Sequence, residues 1–254
     1  MRAIARRSLR FALVMFVLLA LIPGGPALAG GSSISPTRLV LSKAAPTSSV
    51  VVTNTSQTPQ RYSVSARAWD QTPENQLTLS DTSDVVFFPG SFTLESMRQQ
   101  RIRVGVTAPA AAAEKTYRVI VSELPPLQSV IERNRLGLEF TTSFSVPIYV
   151  QPATPRYAAD LGPVSVSRDE LRFAVRNTGN VHFVAKTMKV SARGDGGQIM
   201  STENAAWFVL QNNQRAFALP IPKGACGAVK SVSITLEADQ TYLTRSIAPE
   251  HTCN

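Results

Sequence analysis

Two cysteines and two histidines are the residues best suited to chemistry in this 254-residue chain. Cys226 and Cys253 both fall within the last thirty residues. In an oxidising compartment a cysteine pair near one terminus most often forms a single disulfide, which here would tie the C-terminal tail back to the strand near Val229. A metal site using the neighbouring His251 is the sharper alternative, but neither the spacing nor the ligand count suits zinc or copper, so no metal is expected. His182 stands beside Phe183 in an extended stretch and reads as a packing or surface residue rather than a general base. Arg193-Gly194-Asp195 spells an integrin-type tripeptide, yet inside RGDGG a hairpin turn is the default. There is no nucleophile elbow, phosphate loop, HExxH or paired-cysteine zinc pattern. Neither an enzyme nor a cofactor is expected.

The compartment is indicated by the N-terminus. MRAIARRSLR carries Arg2, Arg6, Arg7 and Arg10 with no acidic residue, FALVMFVLLALI follows, and Ala27-Leu28-Ala29 closes the segment. These are the basic, apolar and small-residue regions of a secretory signal peptide over residues 1–29, cleaved after Ala29. The apolar run is short for a span, which needs about twenty residues, so no stable membrane anchor is expected after cleavage. Arg6-Arg7 hints at a twin-arginine signal, but nothing implies a cofactor loaded in the cytosol. The leader holds four of 26 basic residues, leaving 22 against 17 acidic and a net charge of +5. With no dense Lys/Arg block, and no aromatics interleaved with basic residues, nucleic acid is not an expected partner.

The elements that must position any site are short strands. Ser33 to Leu41, Ser49 to Thr53, Tyr62 to Trp69, Val85 to Phe88, Phe92 to Leu94, Gln100 to Val104 and Thr116 to Val121 have strand character and are separated by turn chemistry. The second half repeats the style from Val164 to Leu236, with turn signals at Asn177-Thr-Gly179-Asn180 and Gly194-Asp-Gly-Gly197. No helical period of useful length appears. Gln151-Pro-Ala-Thr-Pro155 is a proline-stiffened connection. The reading is an all-β protein of two immunoglobulin-like β-sandwich domains, 30–152 and 153–254.

One strand is too long for its domain. From Leu136 the even positions are Leu136, Leu138, Phe140, Thr142, Phe144, Val146, Ile148 and Val150, while the odd positions are mostly polar. At roughly 3.3 Å per residue, about fifteen residues span about 50 Å, against roughly 17–20 Å for a typical strand. An ordinary domain cannot cover such a face. Pro147 lacks an amide donor, which predicts an edge position at that point.

Thr37-Arg38, Gln100-Arg-Ile-Arg103-Val104, Glu114-Lys-Thr-Tyr-Arg118-Val-Ile-Val121-Ser-Glu123-Leu-Pro-Pro126 and the long strand ending Tyr149-Val-Gln-Pro152 together resemble the PapD-like periplasmic chaperones of the chaperone–usher pilus pathway. TYRVxVxELPP with FSxPIY is most similar to the archaic subgroup. The resemblance implies two sandwiches set in an L, in the periplasm. Pilin or fimbrial subunits would be clients and an outer-membrane usher the receiving partner. It further implies donor-strand complementation, a form of β-augmentation in which the chaperone's strand fills the groove of an incomplete subunit. Leu136, Leu138 and Phe140 would enter the client and Thr142 would mark the crossover. Phe144, Val146 and Ile148 would face the home core. The exposed strand also makes self-association an expectation.

In the family two basic residues hold the client's C-terminal carboxylate. Arg38 occupies the first position. The second, a lysine in well-known members, falls at Pro147, which leaves Arg118 as the candidate replacement and Lys115 as a weaker one. Arg103, Glu123 and Asp239 correspond to an interdomain salt bridge. A secreted structural or adhesive protein of the same two-sandwich architecture is the alternative from another class. A stable end product of that kind should hide the Leu136–Phe140 stripe at home. An extracellular hydrolase on a β scaffold is a more distant third.

Overall fold

The computed structural model describes residues 31–72, 74–107, 111–125 and 141–253. The signal peptide expected over 1–29 and the expected client-facing residues Leu136, Leu138 and Phe140 lie outside the described residues.

The strands up to residue 150 are β1 (Ser32–Ser35), β2 (Leu39–Leu41), β3 (Thr47–Asn54), β4 (Gln60–Gln71), β5 (Leu77–Ser80), β6 (Val85–Phe88), β7 (Ser91–Leu94), β8 (Gln99–Val106), β9 (Lys115–Leu124) and β10 (Ser143–Val150). They form a sheet in the order β1-β3-β8-β6 and a second in the order β2-β10-β9-β4-β5, with β7 also paired to β4. The expected single strand Ser33–Leu41 is divided at Pro36. Its first part pairs with β3 in one sheet and its second part pairs in parallel with β10 in the other. A proline cannot donate to a ladder, so the chain changes sheets there. Alternation supplies the core. Val50 and Val52 of β3, Ile102 and Val104 of β8, Tyr117, Val119 and Val121 of β9, and Val146 and Ile148 of β10 meet between the layers.

The remaining strands are β11 (Ala159–Leu161), β12 (Ser165–Ser167), β13 (Glu170–Asn177), β14 (Phe183–Gly194), β15 (Gly197–Val209), β16 (Gln214–Pro220), β17 (Ser231–Ala238), β18 (Tyr242–Ile247) and β19 (Glu250–Thr252). One sheet runs β11-β13-β12-β19, with β16 on β13, and the other runs β15-β14-β17-β18. The Arg193-Gly194-Asp195 tripeptide sits at the β14–β15 hairpin, where Gly194 pairs with Gly197 across a two-residue Asp-Gly loop. Gly197 has φ +109°, in the left-handed half of conformational space where only glycine is unstrained. Both sandwiches carry the same buried device. Asn54 donates its Nδ2 to the Thr58 and Leu94 carbonyls and accepts the Ser56 N–H. Asn177 donates to Val181 and Val209 and accepts the Gly179 N–H. Each satisfies loop backbone groups that burial would otherwise leave unpaired.

Cys226 and Cys253 form the expected disulfide, which spans 27 residues. It holds β19 against β12, the parallel pair at the end of its sheet. Closing a loop of that length stabilises a fold by about 3.5 kcal/mol in the chain-entropy picture. Reduction should therefore lower unfolding stability by about 2–4 kcal/mol, read as a shift of the urea midpoint with and without dithiothreitol. An unchanged midpoint would show that the tail contributes nothing.

Candidate functional site

The outer face of the β2-β10-β9-β4-β5 sheet carries the unusual chemistry. Pro147 of β10 pairs with Arg118 of β9, which pairs with Arg67 of β4. On the other side Ile148 pairs with Leu39, which places Arg38 one residue earlier, level with Pro147. A transverse row Arg38–Pro147–Arg118–Arg67 results, with three guanidinium side chains and one proline. Odd positions of β10 and even positions of β9 point outward here, because their neighbours in sequence fill the core. Arg67 is engaged by Asp81. Arg38 is exposed.

Pro147 occupies the edge position expected of it. The Glu123 N–H donates to the Thr142 carbonyl, which fixes the ladder parity and turns the Pro147 nitrogen away from β9. Pairing with β2 begins only at Ile148, so the missing donor costs no ladder bond. Among the described residues no strand pairs with Ser143–Pro147 on the side opposite β9. The even residues Val146, Ile148 and Val150 are buried in the home core, and Phe144 packs against it. Thr142 is partly buried, and its N–H is taken by the Glu123 carboxylate at 2.9 Å.

Arg118 is held in place. Its guanidinium lies 4.3 Å from the Trp69 ring centroid, and one nitrogen donates to Ser145 Oγ at 3.1 Å. Its Nε is buried with no acceptor among the described residues. Burial lowers its pKa, with Tyr149 acting in the opposite direction, and a guanidinium still remains charged. Tyr149, also on the outer face, is only 5 % exposed. Burial pushes its phenol up to about 12, Glu114 adds to the rise, and Arg118 and Arg38 oppose it. Both arginines therefore act on one buried phenol.

The second sandwich covers this end of the sheet. Trp69, Tyr149 and Leu210 form a small buried cluster with Phe208 packed against it. The Tyr149 ring stacks on His182 at 3.6 Å, and Trp69 meets Phe208 edge-on at 5.6 Å. Glu114, with 0 % of its side chain exposed, lies 2.8 and 2.9 Å from His182 Nδ1 and accepts the His182 backbone N–H at 3.1 Å. The Glu114 N–H donates to the Asn180 carbonyl, and Asn180 Nδ2 donates to Ala112. Further along, the Leu210 N–H donates to Gln71 Oε1, Asn213 to Asp70, and Arg215 to Asn75.

The family profile described as pili and flagellar-assembly chaperone, PapD N-terminal domain, matches residues 31–155. The first sandwich belongs to that chaperone family. Solved structures agree in fold. The class 5 fimbriae chaperone CfaA is 14 % identical, with 86 % of this chain and 100 % of that one covered at a TM-score of 0.58. A chaperone–tip adhesin complex of CFA/I fimbriae biogenesis gives 14 % identity, 86 % and 99 % coverage, and 0.57. The CsuC–CsuE chaperone–tip adhesion subunit pre-assembly complex, from archaic chaperone–usher Csu pili of Acinetobacter baumannii, gives 17 %, 87 %, 100 % and 0.53. At these identities the likeness shows the two-domain fold alone. No sequence among curated proteins matches the chain.

The fold brings some expected residues together and separates others. Arg38 and Arg118 flank Pro147 on one face. Lys115 does not join them: it shares the inward parity of Tyr117 and lies 3.8 Å from Asp84. The expected Arg103–Glu123–Asp239 bridge is not formed. Glu123 is committed to Ser32 Oγ and the Thr142 N–H. Arg103 projects from the outer face of the other sheet of the first sandwich, paired with Ser49 and Phe88, and Asp239 lies 3.8 Å from Lys186. The polar link across the junction is Glu114–His182 instead. Single-residue reading undervalued His182, because its partner is 68 positions away.

A phenol whose folded pKa exceeds its unfolded value of 10.0 contributes stability that is intact below pH 10 and is lost as pH rises towards about 12. Tyr149→Phe keeps the stacked ring and removes the ionisation. Urea unfolding between about pH 9 and about pH 12 should show a shallower alkaline loss in the variant, by about 2 kcal/mol. Identical slopes would mean that the phenol is not shielded by the junction.

Proposed function

We propose that the protein is a non-enzymatic periplasmic chaperone that captures pilin or fimbrial subunits by donor-strand complementation and passes them to an outer-membrane usher. In this reading the signal peptide 1–29 is removed, leaving domains 30–152 and 153–254. The observation that carries the reading is the uneven pairing of β10. The strand is bonded to β9 throughout its length, but β2 covers only its last three residues on the other side. Upstream in the sequence the even positions stay apolar at Phe140, Leu138 and Leu136. An incomplete subunit offers an apolar groove and unpaired edge amides, an aggregation hazard that an added strand relieves. Each large apolar residue fully buried in such a groove contributes roughly 1.5–3 kcal/mol. No nucleotide is required, since transfer to the next subunit exchanges one strand for another.

Arg38 and Arg118 anchor the client's terminal carboxylate across Pro147. They are two strand spacings apart, roughly 9–10 Å between Cα positions, a span that two long side chains can bridge to a single carboxylate. A carboxylate would give the Arg118 guanidinium the charged acceptor it lacks. The strand that receives clients also gives free chaperone a route to self-association.

Co-expression of the mature chain with candidate subunits should yield a soluble one-to-one complex, and Leu138→Glu with Phe140→Glu should abolish it. Retained capture by that double variant would sink the donor-strand assignment. Arg38→Ala and Arg118→Ala should each weaken capture about tenfold or more while the protein stays folded. Normal capture by both would remove the clamp.

A further inference from the structure

We propose that Glu123 is the positioning residue for the root of the donor strand: its carboxylate, braced by Ser32 and Tyr62, holds the Thr142 N–H at the point where the chain leaves β9. The inference rests on the donor-strand reading and adds the side chains that prepare the strand for a client.

Strands β10 and β9 stay in register from Val150 opposite Lys115 to Ser143 opposite Ser122. One step further, the Glu123 N–H still donates to the Thr142 carbonyl, at 2.9 Å. In a regular antiparallel pair the Thr142 N–H would return the bond to the Glu123 carbonyl. It goes instead to Glu123 Oε2, also at 2.9 Å. The ladder therefore ends on a side chain. One main-chain bond remains at this level, and the carboxylate supplies the second.

That carboxylate stands where the strand pattern calls for an apolar residue. Tyr117, Val119 and Val121 fill the core, and Glu123 continues their parity. Across the sheet it pairs with Tyr62 of β4, which is 0 % exposed. A carboxylate in such a place is costly unless its oxygens have donors. Ser32 of β1 gives its hydroxyl hydrogen to Oε1. Ser32 Oγ lies 2.6 Å from the Tyr62 hydroxyl, which is then left as the donor to it. Burial raises the Tyr62 pKa, Ser32 opposes the rise and Glu123 adds to it, so the phenol keeps the proton that this role requires. The Tyr62 ring is itself stacked on Phe92 at 5.1 Å. Groups from β1, β4 and β9 thus converge on one amide of the chain that enters β10.

The seam divides the apolar stripe. On one side Val146 and Ile148 lie in the home core with Phe144 packed against it. On the other the even positions of the sequence are apolar again at Phe140, Leu138 and Leu136. A strand whose root is fixed has less freedom to lose on capture, and association speeds up with the fraction of molecules already in the competent arrangement. Once a client holds the strand, the root is ordered by the client as well, so departure depends little on the carboxylate.

The probe is a subunit that the native chain retains in co-expression, unfolded in urea and diluted into the mature protein. Capture is timed by suppression of light scattering, and release by chase with a tagged copy of the chaperone. Glu123→Ala should slow capture about tenfold while changing release by less than about threefold. In the free variant the Thr142 amide should exchange with solvent about tenfold faster. Glu123→Gln keeps an oxygen that can accept the Thr142 N–H and should restore most of the capture rate. A merely structural role predicts a different pattern: a lower unfolding midpoint and faster release, with Gln no better than Ala. That pattern, or native capture by Glu123→Ala, overturns the proposal, and loss of capture in Leu138→Glu with Phe140→Glu then shows that the donor strand itself survives. A native chain that captures no subunit, or whose capture withstands that double variant, overturns both. Should Glu123→Ala fold poorly, Ser32→Ala removes the brace and leaves the carboxylate. It should slow capture about threefold, and a native rate there overturns the proposal.

Discussion

Strand β10 is bonded to β9 along all of its eight residues, and to β2 along only three. That asymmetry organises the first sandwich. It places Pro147 at the last position where a missing amide hydrogen is harmless, because the nitrogen faces away from β9 and β2 has not yet begun. It fixes which side chains are inward, so Val146, Ile148 and Val150 fill the core and Ser145, Pro147 and Tyr149 are left outside. It also brings Arg38 to the same level as Arg118, and a one-residue slip of the parallel β2 along β10 would turn Leu39 and Leu41 out of the core.

The outer face so defined would be an ordinary solvated sheet surface if the second sandwich did not cover one end of it. Covering Tyr149 and Trp69 removes two large rings from water, and the apolar contacts with Phe208 and Leu210 provide a driving force without direction. Direction comes from polar groups. The Glu114 carboxylate is satisfied only when the loop that carries His182 presents both its backbone N–H and its imidazole. Gln71 likewise needs both the amide of Leu210 and the carbonyl of Phe208. Loss of one partner from such a buried pair leaves a costly orphan, so these contacts make one arrangement of the domains preferable to neighbouring ones.

Period-two alternation made the all-β architecture legible from sequence, because each half-buried strand repeats the same inside–outside choice. The disulfide was legible for a simpler reason: two cysteines in an oxidising compartment have one pairing. Strand limits were less so. Pro36 divides a stretch whose residues all favour extension, and nothing in Ser33 to Leu41 says that its halves belong to different sheets. β18 and β19 carry little alternation and owe their conformation to the strands beside them, and β5, though it alternates, is too short and too exposed to stand out. The domain junction was the least legible part. Arg103, Glu123 and Asp239 entered through resemblance, and Glu123 is already consumed by Ser32 and Thr142. The pair that does cross the junction, Glu114 and His182, has no local signature, since partners distant in sequence become visible only once the sheets are stacked.

Pro147 is the point where these constraints meet. A lysine there would project from the outer face between Arg38 and Arg118, crowding three cations onto adjacent strands with only the Arg67–Asp81 pair to offset them. Proline removes one charge and leaves a low ring between two guanidiniums. Arg118 is stiffened by Trp69 and Ser145, so little further order is needed for it to receive an anion. In the proposed anchor the outer face at the proline is the seat. The junction that buries Tyr149 and Glu114 then has a second consequence. Tyr149, which the second domain covers, shares the outer face of β10 with Pro147, so on the proposed reading packing between the domains and capture of a client terminus draw on neighbouring side chains.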